Sequence, residues 1–171
     1  MLTNRLVKMN FSAVYSSELT RALESAELYL KKTNKKLIVD KRLNEINWIH
    51  WQRAKFFNMS EKTREKKFPN YQEADLELDK MQAKTRRTLN SIFKKHLGKK
   101  VAIFSHGNLI KAMVTGILNA DVLGFLSLEI YQSSITKLVI DRDGYVKIAY
   151  INNAGHLPET PKEDLFAALA D

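Results

Sequence analysis

Arg21, Glu45 and His106 carry side chains able to act on a phosphate ester, and each stands where one predicted element hands over to the next. Ser105-His106-Gly107-Asn108 puts an imidazole after an apolar run, Lys100-Val-Ala-Ile-Phe-Ser105, and directly before helical text. A helix start offers free N–H groups and a positive dipole end, which suit an anion. Gly107 lets backbone approach a ligand closely. Arg21 lies one turn into an earlier helix and can reach back over the strand before it. Its guanidinium matches the paired oxygens of a phosphate. Glu45 follows Leu43 at a third strand exit. Taken singly these residues have plainer readings: a turn for Ser-His-Gly, an i,i+4 surface pair for Arg21, a solvated Glu45. Their shared placement at strand ends favours a phosphate-ester site, because open parallel sheets bind ligands beyond those ends.

The elements that must position them read as strand–helix units. Ser12-Ala-Val-Tyr-Ser16 is a short apolar strand, and Ser17 offers an N-cap to a helix of roughly residues 18–32. Leu19, Ala22, Leu23, Ala26 and Leu30 recur on one face of it. Leu37-Ile38-Val39 reads as the next strand. Asn47 to Lys95 is mostly helical and charged, with an aromatic knot at Trp48, Trp51, Phe56 and Phe57, and Pro69-Asn70 breaks it in two. Asn108 starts a helix whose apolar face carries Leu109, Ile110, Met113, Val114, Ile117 and Leu118. Ile135–Ile140 and Tyr145–Ile151 flank Asp141-Arg-Asp-Gly144, a hairpin signal. The expected fold is α/β: a mainly parallel sheet flanked by helices, with a C-terminal hairpin as its antiparallel edge. Without repeats or linkers, residues 1–171 read as one domain.

Composition narrows the function classes. The chain has 171 residues, 44% of them hydrophobic, and no cysteine, so disulfides, thiolate zinc sites and cysteine nucleophiles are excluded. The four histidines are scattered and suggest no metal site. No apolar run is long enough to cross a membrane, and the opening residues are not a signal peptide. The cytoplasm is the expected location. The net charge of +9 attracts phosphates or nucleic acid in principle. The basic runs Glu61–Lys67 and Lys84–Arg87 nevertheless read as solvated helix surface, so a nucleic-acid partner rests on charge alone.

Four segments, in order, resemble the histidine phosphatase (phosphoglycerate-mutase-like) family. Val14-Tyr15-Ser16-Ser17-Glu18-Leu19-Thr20-Arg21-Ala22 is similar to its Ser-Ser-x-Leu-x-Arg-Ala segment, Leu43-Asn44-Glu45 to its Leu-x-Glu, Ser105-His106-Gly107-Asn108 to its second-histidine motif, and Asn153-Ala-Gly-His156-Leu157 to its closing Asn-x-x-His-Leu. The resemblance implies that Arg21 binds phosphate with Ser17, Gly107 and Asn108 around it. It also implies that Glu45 is the general acid and base, that His106 supports the phosphoryl group, and that the closing motif is structural. The implied substrate is a small phosphorylated molecule, with no cofactor.

The departures carry equal weight. The family's first strand ends in Arg-His-Gly, whose histidine is the nucleophile, and no such tripeptide occurs here. Leu2-Thr-Asn-Arg-Leu-Val-Lys-Met9 resembles the back half of the helix that follows that strand. The resemblance therefore implies a phosphatase that is inactive as given, or else a non-catalytic phosphate-binding pseudoenzyme or scaffold. A phosphoglycerate mutase is a weaker alternative, because Glu45-Ile-Asn-Trp does not match the mutase's Glu-Arg-His-Tyr-Gly and the insert before Ser105 is short. A missing first strand would leave ladder groups of the Ser105-His106 strand unpaired. Three solutions are open: a strand encoded upstream, the terminal hairpin sliding in to pair, or a homodimer that exchanges elements.

Overall fold

Helix ends and strand pairing are both readable in the chain's chemistry. The computed structural model describes residues 2–48 and 70–157. In chain order these are α1 (Leu2–Met9), β1 (Ala13–Ser16), α2 (Thr20–Thr33), β2 (Leu37–Val39), a 3-10 turn (Lys41–Leu43), α3 (Tyr71–Lys95), β3 (Val101–Phe104), α4 (Gly107–Leu118), α5 (Val122–Ser127), β4 (Ile135–Ile140) and β5 (Val146–Asn153). Asn10, Asn34 and Asn119 follow α1, α2 and α4, and all take left-handed backbone, with φ of 49°, 51° and 53°. Asparagine tolerates this conformation better than branched residues, so it stops a helix where the chain must turn back.

The strands form a three-stranded parallel sheet of order β2-β1-β3 and a separate two-stranded sheet of β4 and β5. The fold class is as expected, with helices on both faces of the parallel sheet. One face packs Val14, Ala102 and Phe104 against Leu6, Ala22, Ala26 and Tyr29 of α1 and α2. The other packs Ala13 and Tyr15 against Ile92 of α3 and Leu109 and Met113 of α4. A third cluster joins Trp48, Leu78, Ala112, Val122 and Phe125. All four residues of β1 are buried, as befits a central parallel strand.

Several expectations need correction. The hairpin is not an antiparallel edge of the main sheet: among the described residues β3 pairs only with β1, and β4 only with β5. The hairpin therefore has not slid in beside β3. Instead, Arg5 of α1 donates through Nη1 to Asn153 Oδ1 at 2.8 Å, and Ile135 packs against the α1/α2 cluster. Ser17 does not cap α2, which begins at Thr20 with Leu19 in the N-cap position and no side-chain cap. The apolar face of α4 is broader than its leucines and isoleucines suggest. Ala112 to Gly116 are all buried, because α4 is packed by α3 and α5 as well as by the sheet, while Leu118 is exposed. His50, Trp51, Phe56, Phe57, Glu61–Lys67 and Pro69 lie outside the described residues.

Tyr29 fills the centre of the first face, fully buried, with its ring edge-on to Phe11 at 6.0 Å and tilted against Phe104 at 6.4 Å. Truncation would leave an aromatic-sized cavity between α2 and the sheet. We expect Tyr29→Ala to destabilise the fold by about 3–5 kcal/mol, read from the denaturant midpoint at unchanged slope.

Candidate functional site

The register of two strands brings the site together. β1 and β3 run parallel with Ser16 opposite Phe104, and Ser17 N–H donates to the Phe104 carbonyl at 3.1 Å. The residues just past each strand, Ser17 and Ser105-His106, therefore leave the sheet side by side at its carboxyl edge. His106 is the N-cap residue of α4, in extended backbone, and its ring is buried.

Both ring nitrogens of His106 are engaged. Arg21 Nε–H donates to Nδ1 at 2.9 Å. Nδ1 must then be an acceptor, so the proton resides on Nε2, which donates to Ser17 Oγ at 2.7 Å. Ser17 Oγ also accepts from Leu19 N–H at 3.2 Å. This explains why Ser17 is fully buried and unavailable as a helix cap. Burial, and then the Arg21 charge, push the His106 pKa below the ordinary histidine value of 6.5. The ring is held neutral. Positive charge for an anion comes instead from Arg21, whose side chain is 62% exposed, and from the start of α4.

Glu45 arrives from the loop after β2. Asp40 shapes that loop: its carboxylate accepts from the Arg42 backbone N–H at 3.0 Å and pairs with the Arg42 guanidinium, whose hydrogen bond holds the Asp40 pKa below the usual carboxylate value. Ser105 Oγ–H donates to the Leu43 carbonyl at 2.9 Å, tying the loop to the end of β3. Glu45 Oε1 then accepts from Ile46 N–H at 3.0 Å and Leu109 N–H at 3.3 Å, while Oε2 lies 3.9 Å from Arg21 Nη2. Asn108 Nδ2 reaches toward the Ile46 carbonyl at 3.5 Å. Among the described residues, apart from its chain neighbours and the backbone of α4 itself, no atom comes within 4 Å of where a Cβ on Gly107 would stand.

Every sequence-predicted site residue is thus at one edge. Arg21, Glu45, His106 and Ser17 touch one another in a chain of contacts, and Gly107 and Asn108 form the helix start beside them. The serine's bond to His106 and the supporting roles of Asn44, Asp40 and Ser105 were not read from sequence. Asn44 is held by Glu18, through Nδ2 to Oε1 at 2.7 Å. The other described histidines are committed elsewhere. His96 bonds Tyr15 Oη at 2.9 Å, and His156 contacts Arg5 at 3.3 Å and the Ser133 carbonyl at 2.9 Å.

The family model for the histidine phosphatase superfamily (branch 1) matches residues 1–153. Among solved structures, Bacillus stearothermophilus YhfR is similar with a TM-score of 0.70 at 22% identity, over 92% of this chain and 81% of that one. An Entamoeba histolytica phosphoserine phosphatase in complex with 3-phosphoglyceric acid gives 0.72 at 21% identity, over 92% and 81%. A mycobacterial glucosyl-3-phosphoglycerate phosphatase gives 0.63 at 20% identity, over 89% and 82%. Identities of this size establish a common fold. No curated protein sequence matches the chain significantly.

Two expectations follow from the imidazole. A group whose folded pKa is depressed below 6.5 binds its proton more readily in the unfolded chain. Stability from His106 is therefore fully present above 6.5 and is lost as pH falls below it toward the depressed value. An NMR titration should place the His106 midpoint below 6.5, and Arg21→Ala should move it upward. Ser17→Ala leaves the buried Nε2–H without its acceptor, and denaturant unfolding should register a loss of about 1–3 kcal/mol.

Proposed function

Since the chain belongs to the histidine phosphatase superfamily, branch 1, we propose that this edge holds the phosphoryl group of a small phosphomonoester. The observation that carries the reading is the Arg21–His106–Ser17 contact chain beside the start of α4, with Glu45 next to Arg21. The exposed guanidinium of Arg21 supplies paired donors to two phosphoryl oxygens, and the α4 backbone N–H groups supply the rest. His106 holds Arg21 in place through Nδ1 and keeps its ring neutral. Glu45 stands on the leaving-group side, where a carboxylic acid can protonate the departing alkoxide. The related structures include phosphatases named for phosphoserine and glucosyl-3-phosphoglycerate, which supports a small-metabolite ester.

Hydrolysis by this route needs a second, uncommitted imidazole in line with the ester oxygen. Its nitrogen would bond to phosphorus as the P–O bond breaks, and water would later release phosphate from it. No Arg-His-Gly segment occurs in the 171 residues. Among the described residues, His96 and His156 are engaged in other contacts, and His50 lies outside them. We propose that these 171 residues by themselves bind a phosphoester with little or no turnover, a phosphatase cradle acting as a binding module.

Titration calorimetry with inorganic phosphate tests this. We expect the wild type to bind, Arg21→Ala to bind about tenfold or more weakly, and Glu45→Gln to bind nearly as well as wild type. Unchanged affinity in Arg21→Ala removes the reading. Release of nitrophenol from an aryl phosphate should stay at background. Turnover above background would overturn the assignment to binding without catalysis.

A further inference from the structure

Helices α1, α2 and α3 each lead directly into a parallel strand, so all three end at the amino edge of the sheet, opposite the edge that holds Arg21 and His106. Lysines crowd that end of the molecule. Lys31 and Lys32 stand in the last turn of α2, and Lys35 and Lys36 lead into β2. Lys94 and Lys95 close α3, and Lys99 and Lys100 lead into β3. Residues 27–36 and 94–100 thus hold eight lysines and one acid, Glu27, and α1 carries a ninth lysine, Lys8, in its last turn. That is +8 of the chain's net +9. All nine are exposed, and among the described residues one is ion-paired, Lys31 to Glu27 at 2.7 Å. The register fixes their spacing. Leu37 lies opposite Val14, Val101 lies opposite Ala13, and Ser12 N–H donates to the Lys100 carbonyl at 2.8 Å. Lys36 and Lys100 therefore flank the start of β1 on either side, with backbones about 10 Å apart. On the α1/α2 face, Lys8 and Lys32 line one recess with Asn4 and Val7, and Lys32 Nζ donates to Asn4 Oδ1 at 2.9 Å.

Helix dipoles account for lysines in a last turn, but not for the four that lie past the helix ends. Nor do they account for the aliphatic side chains set among the lysines. Leu28 is 60% exposed one turn before Lys32, Leu97 is 58% exposed between Lys95 and Lys99, and Val7 is 37% exposed beside Lys8. Such groups gain nothing from a nucleic-acid backbone. Residues 27–36 and 94–100 contain no arginine for bidentate contacts, and the rings of Phe11 and Tyr29 are buried where no base can stack on them. Exposed lysines interleaved with exposed aliphatics match a lipid interface instead. We infer that the amino edge of the sheet is a docking face for an anionic membrane surface, with the lysines on the headgroups and the aliphatic side chains entering the acyl boundary. Binding of this kind is peripheral, and no helix among the described residues is long and apolar enough to cross a membrane. Docked this way, the chain keeps its phosphate edge one strand length from the lipid, about 13 Å, and turned toward water.

Vesicle co-sedimentation of the full chain tests this, with phosphatidylcholine alone against phosphatidylcholine holding about 30% phosphatidylserine. At about 0.1 M salt the anionic vesicles should bind at least about tenfold more tightly, and about 0.5 M salt should release most of the protein. The double reversals Lys35→Glu/Lys36→Glu and Lys99→Glu/Lys100→Glu should each weaken binding about tenfold or more. Lys137→Glu/Lys147→Glu, an equal change of charge on the exposed face of the hairpin, should weaken it less than about threefold. Leu97→Ser should lower the fraction that stays bound at high salt. Equal binding to both vesicles overturns the inference, and so does a hairpin variant as weak as the two amino-edge variants. A short single-stranded oligonucleotide bound more tightly than the anionic vesicles, and lost with the same lysines, also overturns it and makes nucleic acid the occupant. Where circular dichroism shows a reversal to be unfolded, the neutral pairs Lys35→Gln/Lys36→Gln and Lys99→Gln/Lys100→Gln are held to the same comparison with the hairpin.

Discussion

The imidazole of His106 is fixed from two sides, by a serine at the end of one strand and an arginine in the helix that follows it. Those two bonds, at 2.7 and 2.9 Å, cross between elements separated by more than eighty positions in sequence. They settle the tautomer, since a ring nitrogen that accepts from a guanidinium cannot also carry the proton. They also settle where the guanidinium can point. Arg21 commits its Nε to the ring, which leaves the outer nitrogens facing Glu45 and solvent. The geometry of the edge follows from this pin.

The pin in turn depends on the layers beneath it. β1 is buried over its whole length, and its parallel register with β3 is what sets Ser17 beside His106. On one face the aromatic cluster of Phe11, Tyr29 and Phe104 holds α2 against the sheet, and with it the base of Arg21. On the other, α4 is clasped by α3, where Gly116 allows the helices to approach: a Cβ there would sit 3.2 Å from that of Gln82. Gln82 uses that closeness to donate to Thr115 Oγ1 and the Ala120 carbonyl, so buried polar atoms find partners at the crossing. Packing on several sides gives the first turn of α4 a fixed direction, which the proposed anion site needs.

The hairpin is anchored differently. It shares no ladder with the parallel sheet and is tied to α1 through Arg5, Asn153 and His156. Its turn is closed locally. Asp141 Oδ1 accepts from the N–H groups of Asp143 and Tyr145, and Gly144 takes φ of 90°, a conformation glycine adopts without the strain a Cβ imposes. Local closure explains why the hairpin was legible in Asp141-Arg-Asp-Gly144, although its place beside α1 was not.

Sequence by itself indicated the strands and most of the helices, though not α5, together with the strand–helix junctions whose side chains meet at the carboxyl edge of the sheet. Each of these is written in contiguous text: an apolar run, a small polar residue at its end, an apolar periodicity after it. The broad burial of α4 was not legible, because it is set by three neighbours rather than by its own pattern. The bond that takes Ser17 from cap to support was hidden for a similar reason. A serine before a helix satisfies the same local rule whether it caps its own turn or meets a histidine from another strand. Lys111 carried no signal in the sequence, since its place over the Phe125 ring is a tertiary contact. Tertiary structure decided the His106 tautomer, the direction of Arg21 and the separation of the hairpin from β3. These are contacts between distant segments, and their energies depend on burial and register that no stretch of sequence carries alone.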